Sequence, residues 1–437
     1  MSAAEPAGSL RDRLVIAARN ERLRLVAGAV LLAVGAFMLA TLLVGQAQKP
    51  DGQYGIDYGD YRQASLRMLD GKSPYAPEML AGPIPAQGVD RYRYPPPFAL
   101  IVAPISVLPA TAAATVWLFV QLACIMAALL LAVRSTGRSV GLRHVVWCGV
   151  AMCYFFPVFA ALWQGNVDGP LALLAALAFT GTAARRTGGA GGHALTGARS
   201  DAMLGVASGA AAWLKVSPAV WLAPAAWNRY ALTGLAAVSA LLVIPSLVIA
   251  PQAWLDYAKV LPNMLAGSAD YATNLAPGQL VARIGGVPTV VATTARWAVV
   301  ASAIALVLGA MLLEWRGRDR RLVVLLGVSA SLLLPAAFWY HYLVVLLPFG
   351  VAAWLETNDT AVKSGLIVGS VCIGLALGIG LALATLGGVI FAAAAGIGLR
   401  QAGASSSGTA FSDREFPDGP ASTDRAPTGS APSRARP

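Results

Sequence analysis

Long apolar runs alternate along this chain with short clusters of Arg, Gly and Pro. A helix needs about 20 mostly apolar residues to cross a bilayer. The first such run covers 25–44 and follows Arg11, Arg13, Arg19, Arg22 and Arg24. That leader is too long and too charged for a cleaved signal peptide, so the pattern puts the amino terminus in the cytoplasm. Further spans are predicted at 111–133, 145–163, 167–184, 231–250, 288–313, 322–338, 341–355, 364–382 and 383–399. The stretch 202–226 is interrupted by Lys215 and Pro218 and reads as a re-entrant pair of half helices. Broken backbone at membrane depth is tolerated only where it lines protein or water. The run opened by Tyr94-Pro95-Pro96-Pro97 ends near Pro109, too short to span, and reads as an interfacial helix.

Arg134, Arg138 and Arg143, then Arg185, Arg186 and Arg199, then Arg316, Arg318, Arg320 and Arg321 all fall on one side of this count. The positive-inside rule makes that side the cytoplasm. The expectation is an all-α polytopic membrane protein of about 10–12 transmembrane helices, with both termini cytoplasmic. Residues 1–24 form a basic amino-terminal segment and 25–399 the membrane domain. Its extracytoplasmic loops are 51–97 and 251–285. From 400 to 437 the composition turns to Ser, Pro, Gly, Ala and Arg, which predicts a disordered cytoplasmic tail.

Composition sharpens this picture. The chain is 57% hydrophobic and 12% charged, against about 25% charged in soluble domains. Soluble enzymes, coiled coils and disordered proteins are thereby disfavoured. The net charge of +11 sits in clusters between apolar runs, so it reports topology and not a nucleic-acid partner. Cys124, Cys148, Cys153 and Cys372 lie in apolar runs without a CxxC pair, as small core residues do. No Walker motif, GxGxxG after a strand or HExxH is present, which disfavours a nucleotide-driven pump. Arg over Lys and abundant Ala suggest a GC-rich bacterium and its cytoplasmic membrane.

Ionisable groups among apolar residues ask for a reason. The first external loop holds Asp51, Asp57, Asp60, Asp70, Glu78 and Asp90. Within it, Asp57-Tyr58-Gly59-Asp60-Tyr61 follows the first span, where a carboxylate can act as general base or serve as a solvated charge or helix cap. Lys215 has no acid within eight residues. It either snorkels or pairs with an acid elsewhere, or it is a point charge for a lipid phosphate. His341 follows Phe338, Trp339 and Tyr340 at the outer end of a span. It is a core histidine or a donor to phosphate or sugar. Arg62 and Arg67 are alternative phosphate partners, and Trp254, Asp256 and Asp270 could shape the acceptor side.

Taken in order, Asp57-x-x-x-Tyr61, Gly71-Lys72-Ser73-Pro74-Tyr75, Tyr94-Pro95-Pro96, Gly165-Asn166-Val167-Asp168, Leu214-Lys215-Val216-Ser217-Pro218 and Trp339-Tyr340-His341 resemble glycosyltransferase family 87. The resemblance covers roughly residues 50–350. It implies a C-superfamily membrane fold with interfacial helices in the first loop. It also implies the activity of polyprenol-phosphate-mannose-dependent mannosyltransferases or the related arabinofuranosyltransferases of actinobacterial envelopes. Carried onto this chain, it makes Asp57 the general base, with Asp60 as the alternative. Tyr61, Arg62, Lys215 and His341 become the donor phosphate and sugar site. Tyr94, Pro95, Pro96, Asn166 and Trp339 become its scaffold. Asn166 stands where the family usually has Gln.

The implied partners are a polyprenyl-phosphate sugar donor, a glycolipid or lipoglycan acceptor and membrane lipids, with mannose preferred over arabinose. The implied reaction is a single inverting displacement outside the membrane. No cofactor is required by these residues, although loop acids suit Mg²⁺ or Mn²⁺. The rival is a secondary transporter or lipid flippase, which broken helices also suit. Packed helices bracketing a pocket below Asp57 favour the transferase, and a loose loop over a central two-sided cavity favours transport.

Overall fold

The computed structural model describes residues 20–49, 54–82, 91–180, 193–267, 274–335, 337–380 and 382–412. Arg11, Arg13, Arg19, Asp51, Asp90, Arg185, Arg186, Asp270 and residues 413–437 of the tail lie outside them. Every regular element described is helical. The chain opens with α1 (Glu21–Ala47), which runs from an arginine-rich rim to the opposite one. There α2 (Ile56–Leu69), α3 (Pro77–Ala81) and α4 (Pro96–Ser106) lie together, and α5 (Ala110–Ser135) returns. Next come α6 (Leu142–Tyr154) and α7 (Phe156–Gln164), then α8 (Asp168–Thr180) and α9 (His193–Leu214). A 3₁₀ segment (Ser217–Ala225) leads into α10 (Arg229–Ile249), α11 (Gln252–Gly267) and α12 (Pro277–Ala282). Then α13 (Thr289–Trp315) and α14 (Arg320–Leu333) precede a second 3₁₀ segment (Tyr340–Leu346), which runs into α15 (Leu347–Glu356). The last helices are α16 (Thr360–Ile379) and α17 (Ala382–Ser412). The helix thus continues past residue 400, where the tail is expected to begin.

Capping chemistry differs between the rims. At the arginine-rich rim Asn20, Asn228, Asp319 and Asp359 cap α1, α10, α14 and α16 through side chains that accept backbone N–H groups. At the opposite rim helices open on proline: Pro77 in α3, Pro96 in α4 and Pro277 in α12. Proline lacks the N–H that a first turn leaves unpaired anyway. Pro157 explains the 72° bend between α6 and α7, since it denies that stretch a helical hydrogen bond.

Among the described residues five helices (α1, α5, α10, α13 and α17) are long and apolar enough to cross a bilayer, and the bent α6–α7 pair makes a sixth. The sequence predicts about 10–12 such spans. The remaining predicted spans fall on shorter helices, such as the 13-residue α8, or on interrupted ones. The run 340–356 is of the second kind, a 3₁₀ turn followed by α15 with Pro348 near its start.

Two sets of contacts close the ends. At the arginine-rich rim Arg320 pairs with Asp201 and Glu314, each at 2.6 Å, and Arg321 with Asp319 and Glu356, each at 2.6 Å. Both guanidinium groups are buried, so these two arginines are internal ties and not solvated charges. The 202–226 excursion returns to the same rim, where Asn228 donates to Asp201 at 2.7 Å. The break therefore puts Lys215 at the far tip of a hairpin. α9 and α10 approach closely there: a Cβ on Gly205 would meet the Ala231 carbonyl oxygen at 1.8 Å. Small residues at such crossings let helix backbones touch.

Candidate active site

At the rim opposite the arginines, α2 lies against the tight turn between α7 and α8. Gly165 turns the chain at φ 71°, and a Cβ there would stand 2.9 Å from that of Tyr58. The turn is anchored by Trp117, whose indole N–H donates to the Gly165 carbonyl at 2.7 Å. Gly55 donates its backbone N–H to the Trp163 carbonyl at 2.7 Å, which sets the start of α2 beside the turn. Ser65 ties α2 to α4 through the Ala99 carbonyl at 2.7 Å. Tyr61, Tyr94, Phe98 and Trp117 fill the space between them. The described parts of the first loop thus form a packed helical layer.

These contacts bring Asp57, in the first turn of α2, against Asn166. Asn166 Nδ2 donates to Asp57 Oδ2 at 2.5 Å, and Asn166 Oδ1 accepts the Val167 N–H at 2.7 Å. That second bond fixes which end of the amide faces the carboxylate. Tyr61 donates to the Tyr94 hydroxyl at 2.8 Å, and Tyr94 lies 3.4 Å from Asn166 Nδ2. Burial pushes the Asp57 carboxyl above the usual carboxylate range, against the pull of His341 and of the Asn166 hydrogen bond. Burial, reinforced by Asp57, raises Tyr94 as well, so its hydroxyl stays a neutral donor.

Two basic side chains approach Asp57 from other elements. His341, in the second 3₁₀ segment, hydrogen-bonds through Nδ1 to Asp168 Oδ2 at the start of α8. Both residues are 1% exposed. Lys215 places Nζ 3.0 Å from the centroid of the Tyr342 ring, a cation–π contact. Its charge acts on both Asp57 and Asp168. The cluster therefore sets two carboxylates beside a lysine and a histidine, with the neutral side chains of Tyr94 and Asn166 among them.

The cluster gathers Asp57, Tyr61, Tyr94, Asn166, Lys215 and His341 from positions far apart in the sequence. Asp60 sits half-buried one turn beyond Asp57, and Asp57 is the carboxylate that accepts from Asn166. Arg62 turns its guanidinium to the Leu108 carbonyl at 3.1 Å, and Arg67 holds the carbonyls of Ser73 and Pro74. Pro95 precedes α4 as its cap and accepts the Tyr92 hydroxyl at 2.8 Å, while Pro96 opens the helix. Trp339 caps the second 3₁₀ segment and accepts the Tyr342 N–H at 3.0 Å. Trp254 and Asp256 hold the α10–α11 corner, bonded to Ser246 and Gln252.

Asp168 and Tyr342 receive no role in the sequence reading. Asp168 did carry a signal there, an acid flanked by apolar runs on both sides. A cavity of about 220 Å³ lined by Ala276, Thr289, Arg296, Leu333 and Pro335 lies on the same rim, apart from Asp57. Among the described residues no three His, Cys, Asp or Glu side chains converge as a metal site needs.

The family description "Glycosyltransferase family 87" matches residues 92–337, more than half the chain. Tyr94, Asn166, Asp168 and Lys215 fall inside that stretch, whereas Asp57 and His341 flank it. No curated protein and no solved structure matches the chain. With an all-helical fold built on several membrane-crossing helices, the family match identifies a membrane glycosyltransferase: the chain belongs to glycosyltransferase family 87.

Proposed function

We propose that this enzyme transfers mannose from a polyprenyl-phosphate donor to a hydroxyl of a glycolipid or lipoglycan, on the extracytoplasmic face of a bacterial cytoplasmic membrane. The observation that carries this reading is Asp57, held by Asn166 and facing His341 and Lys215. A base opposite a pair of cations is what displacement at a sugar phosphate needs. Asp57 takes the acceptor proton as the acceptor oxygen attacks the anomeric carbon. The bond from that carbon to the phosphate oxygen breaks, and the electron pair leaves with the polyprenyl phosphate. Lys215 and His341 stabilise the departing charge, which lets it leave without protonation. A single displacement inverts the anomeric centre. The arginine-rich rim is the cytoplasmic one under the positive-inside rule, which supports an extracytoplasmic site and cytoplasmic termini.

The test is transfer of radiolabelled mannose from polyprenyl-phosphate mannose by the purified protein, with envelope lipid as acceptor. Wild type should give labelled product and Asp57→Asn about 10³-fold less. Product from decaprenyl-phosphate arabinose alone would keep the mechanism and replace the sugar. Undiminished turnover by Asp57→Asn would remove Asp57 as the base.

A further inference from the structure

The turn between α7 and α8 delivers two side chains in three residues: Asn166 to Asp57, and Asp168 to His341. Asp168 Oδ2 faces His341 Nδ1, whereas its Oδ1 is buried without a hydrogen-bond partner among the described residues. A carboxylate kept for packing or capping alone is normally satisfied at both oxygens when buried. This one leaves an oxygen unmet and spends its other on a histidine that is itself 1% exposed. His341 Nε2 bonds to no described protein group, and the imidazole lies among Asp57 of α2, Lys215 beyond α9 and Tyr342 of its own segment. A carboxylate on one ring nitrogen settles which nitrogen carries the proton and turns the other outward.

We infer that Asp168 is a positioning residue for the transfer reaction, holding the His341 imidazolium by Nδ1–H on its carboxylate so that Nε2–H is directed at the donor phosphate. The inference rests on the proposed function, in which His341 stabilises the leaving group. Asp168 acts through His341 and touches neither donor nor acceptor.

Two measurements test it together. The first compares mannose transfer from polyprenyl-phosphate mannose by wild type, Asp168→Asn, His341→Gln and the double variant. Asp168→Asn should lower kcat about 10²-fold with little change in donor KM, and it should add no further loss in the His341→Gln background. An equal loss in both backgrounds would mean a structural role and overturn the inference, as would wild-type kcat in Asp168→Asn. The second is solid-state NMR of protein labelled with ¹⁵N-histidine, where only three histidines contribute. Wild type should show a downfield Nδ1 proton that disappears in Asp168→Asn and persists in His144→Gln and His193→Gln. An unprotonated His341 Nδ1 in wild type would overturn the inference even if transfer is observed. Wild type inactive toward every prenyl-phosphate sugar is the distinct failure of the proposed function, and it would take this role of Asp168 with it.

Discussion

Asn166 donates its amide hydrogen to Asp57 at 2.5 Å across 109 residues of chain, and this bond decides how readily the carboxylate ionises. Burial raises Asp57 from its ordinary value of 3.8, while the amide bond stabilises the charged form and works the other way. A general base must be deprotonated to act. Turnover should therefore fall as pH drops through the raised value, with an acid limb above the ordinary carboxylate range. Asn166→Ala removes the stabilising donor, so the limb should move to still higher pH. Activity on the acid side of the limb should drop about tenfold and recover on the alkaline side. The pH dependence of kcat for the two proteins checks the sign; a limb displaced to lower pH would contradict it.

Lys215 stands at the tip of the re-entrant hairpin, over the Tyr342 ring. Lys215→Met keeps much of the apolar stem and deletes the charge. A hydrogen bond to a charged group is worth about 1.5–3 kcal/mol, so donor KM should rise about 10- to 100-fold. Initial rates against donor concentration measure it. Lys215→Arg should restore part of the loss, because charge is kept while shape changes.

Gly165 shapes the turn that carries Asn166 and Asp168. Gly165→Ala puts a side chain at φ 71° and within 2.9 Å of Tyr58 Cβ. The left-handed conformation costs about 1–2 kcal/mol without glycine. The variant should unfold a few degrees earlier and lose turnover out of proportion to that fall, since both site contacts shift. Thermal unfolding in detergent, read alongside kcat, separates the two effects.

Arg321 is 1% exposed and joins α14 to α15 through Asp319 and Glu356. Arg321→Ala leaves two acids facing each other in a buried place. Removing one partner of a buried ion pair costs about 3–5 kcal/mol. The apparent Tm should fall markedly while protein that remains folded at low temperature keeps its turnover. The effect should shrink in Arg321→Ala/Glu356→Gln, where one of the stranded charges is neutralised.

The apolar runs by themselves determined where the helices lie, because the length and hydrophobicity of a span are local properties of the chain. The interruption at Lys215 and Pro218 and the proline-opened helix after Tyr94 were legible for the same reason. The number of full-length crossings was not. A length rule assumes a helix alone in lipid, whereas α8 and the 340–356 run are buried among neighbours and need not span unaided. Nor could the chain alone reveal that Arg320 and Arg321 are neutralised by Asp201, Glu314, Asp319 and Glu356, or that Arg62 is committed to Leu108. Asp57 and Asp60 look alike as acids three residues apart; the tertiary structure alone puts Asn166 against the first. Likewise Asp168 is one acid at a hairpin turn until the second 3₁₀ segment brings His341 to it. Long-range packing supplies these pairings, and no pattern of neighbouring residues encodes them.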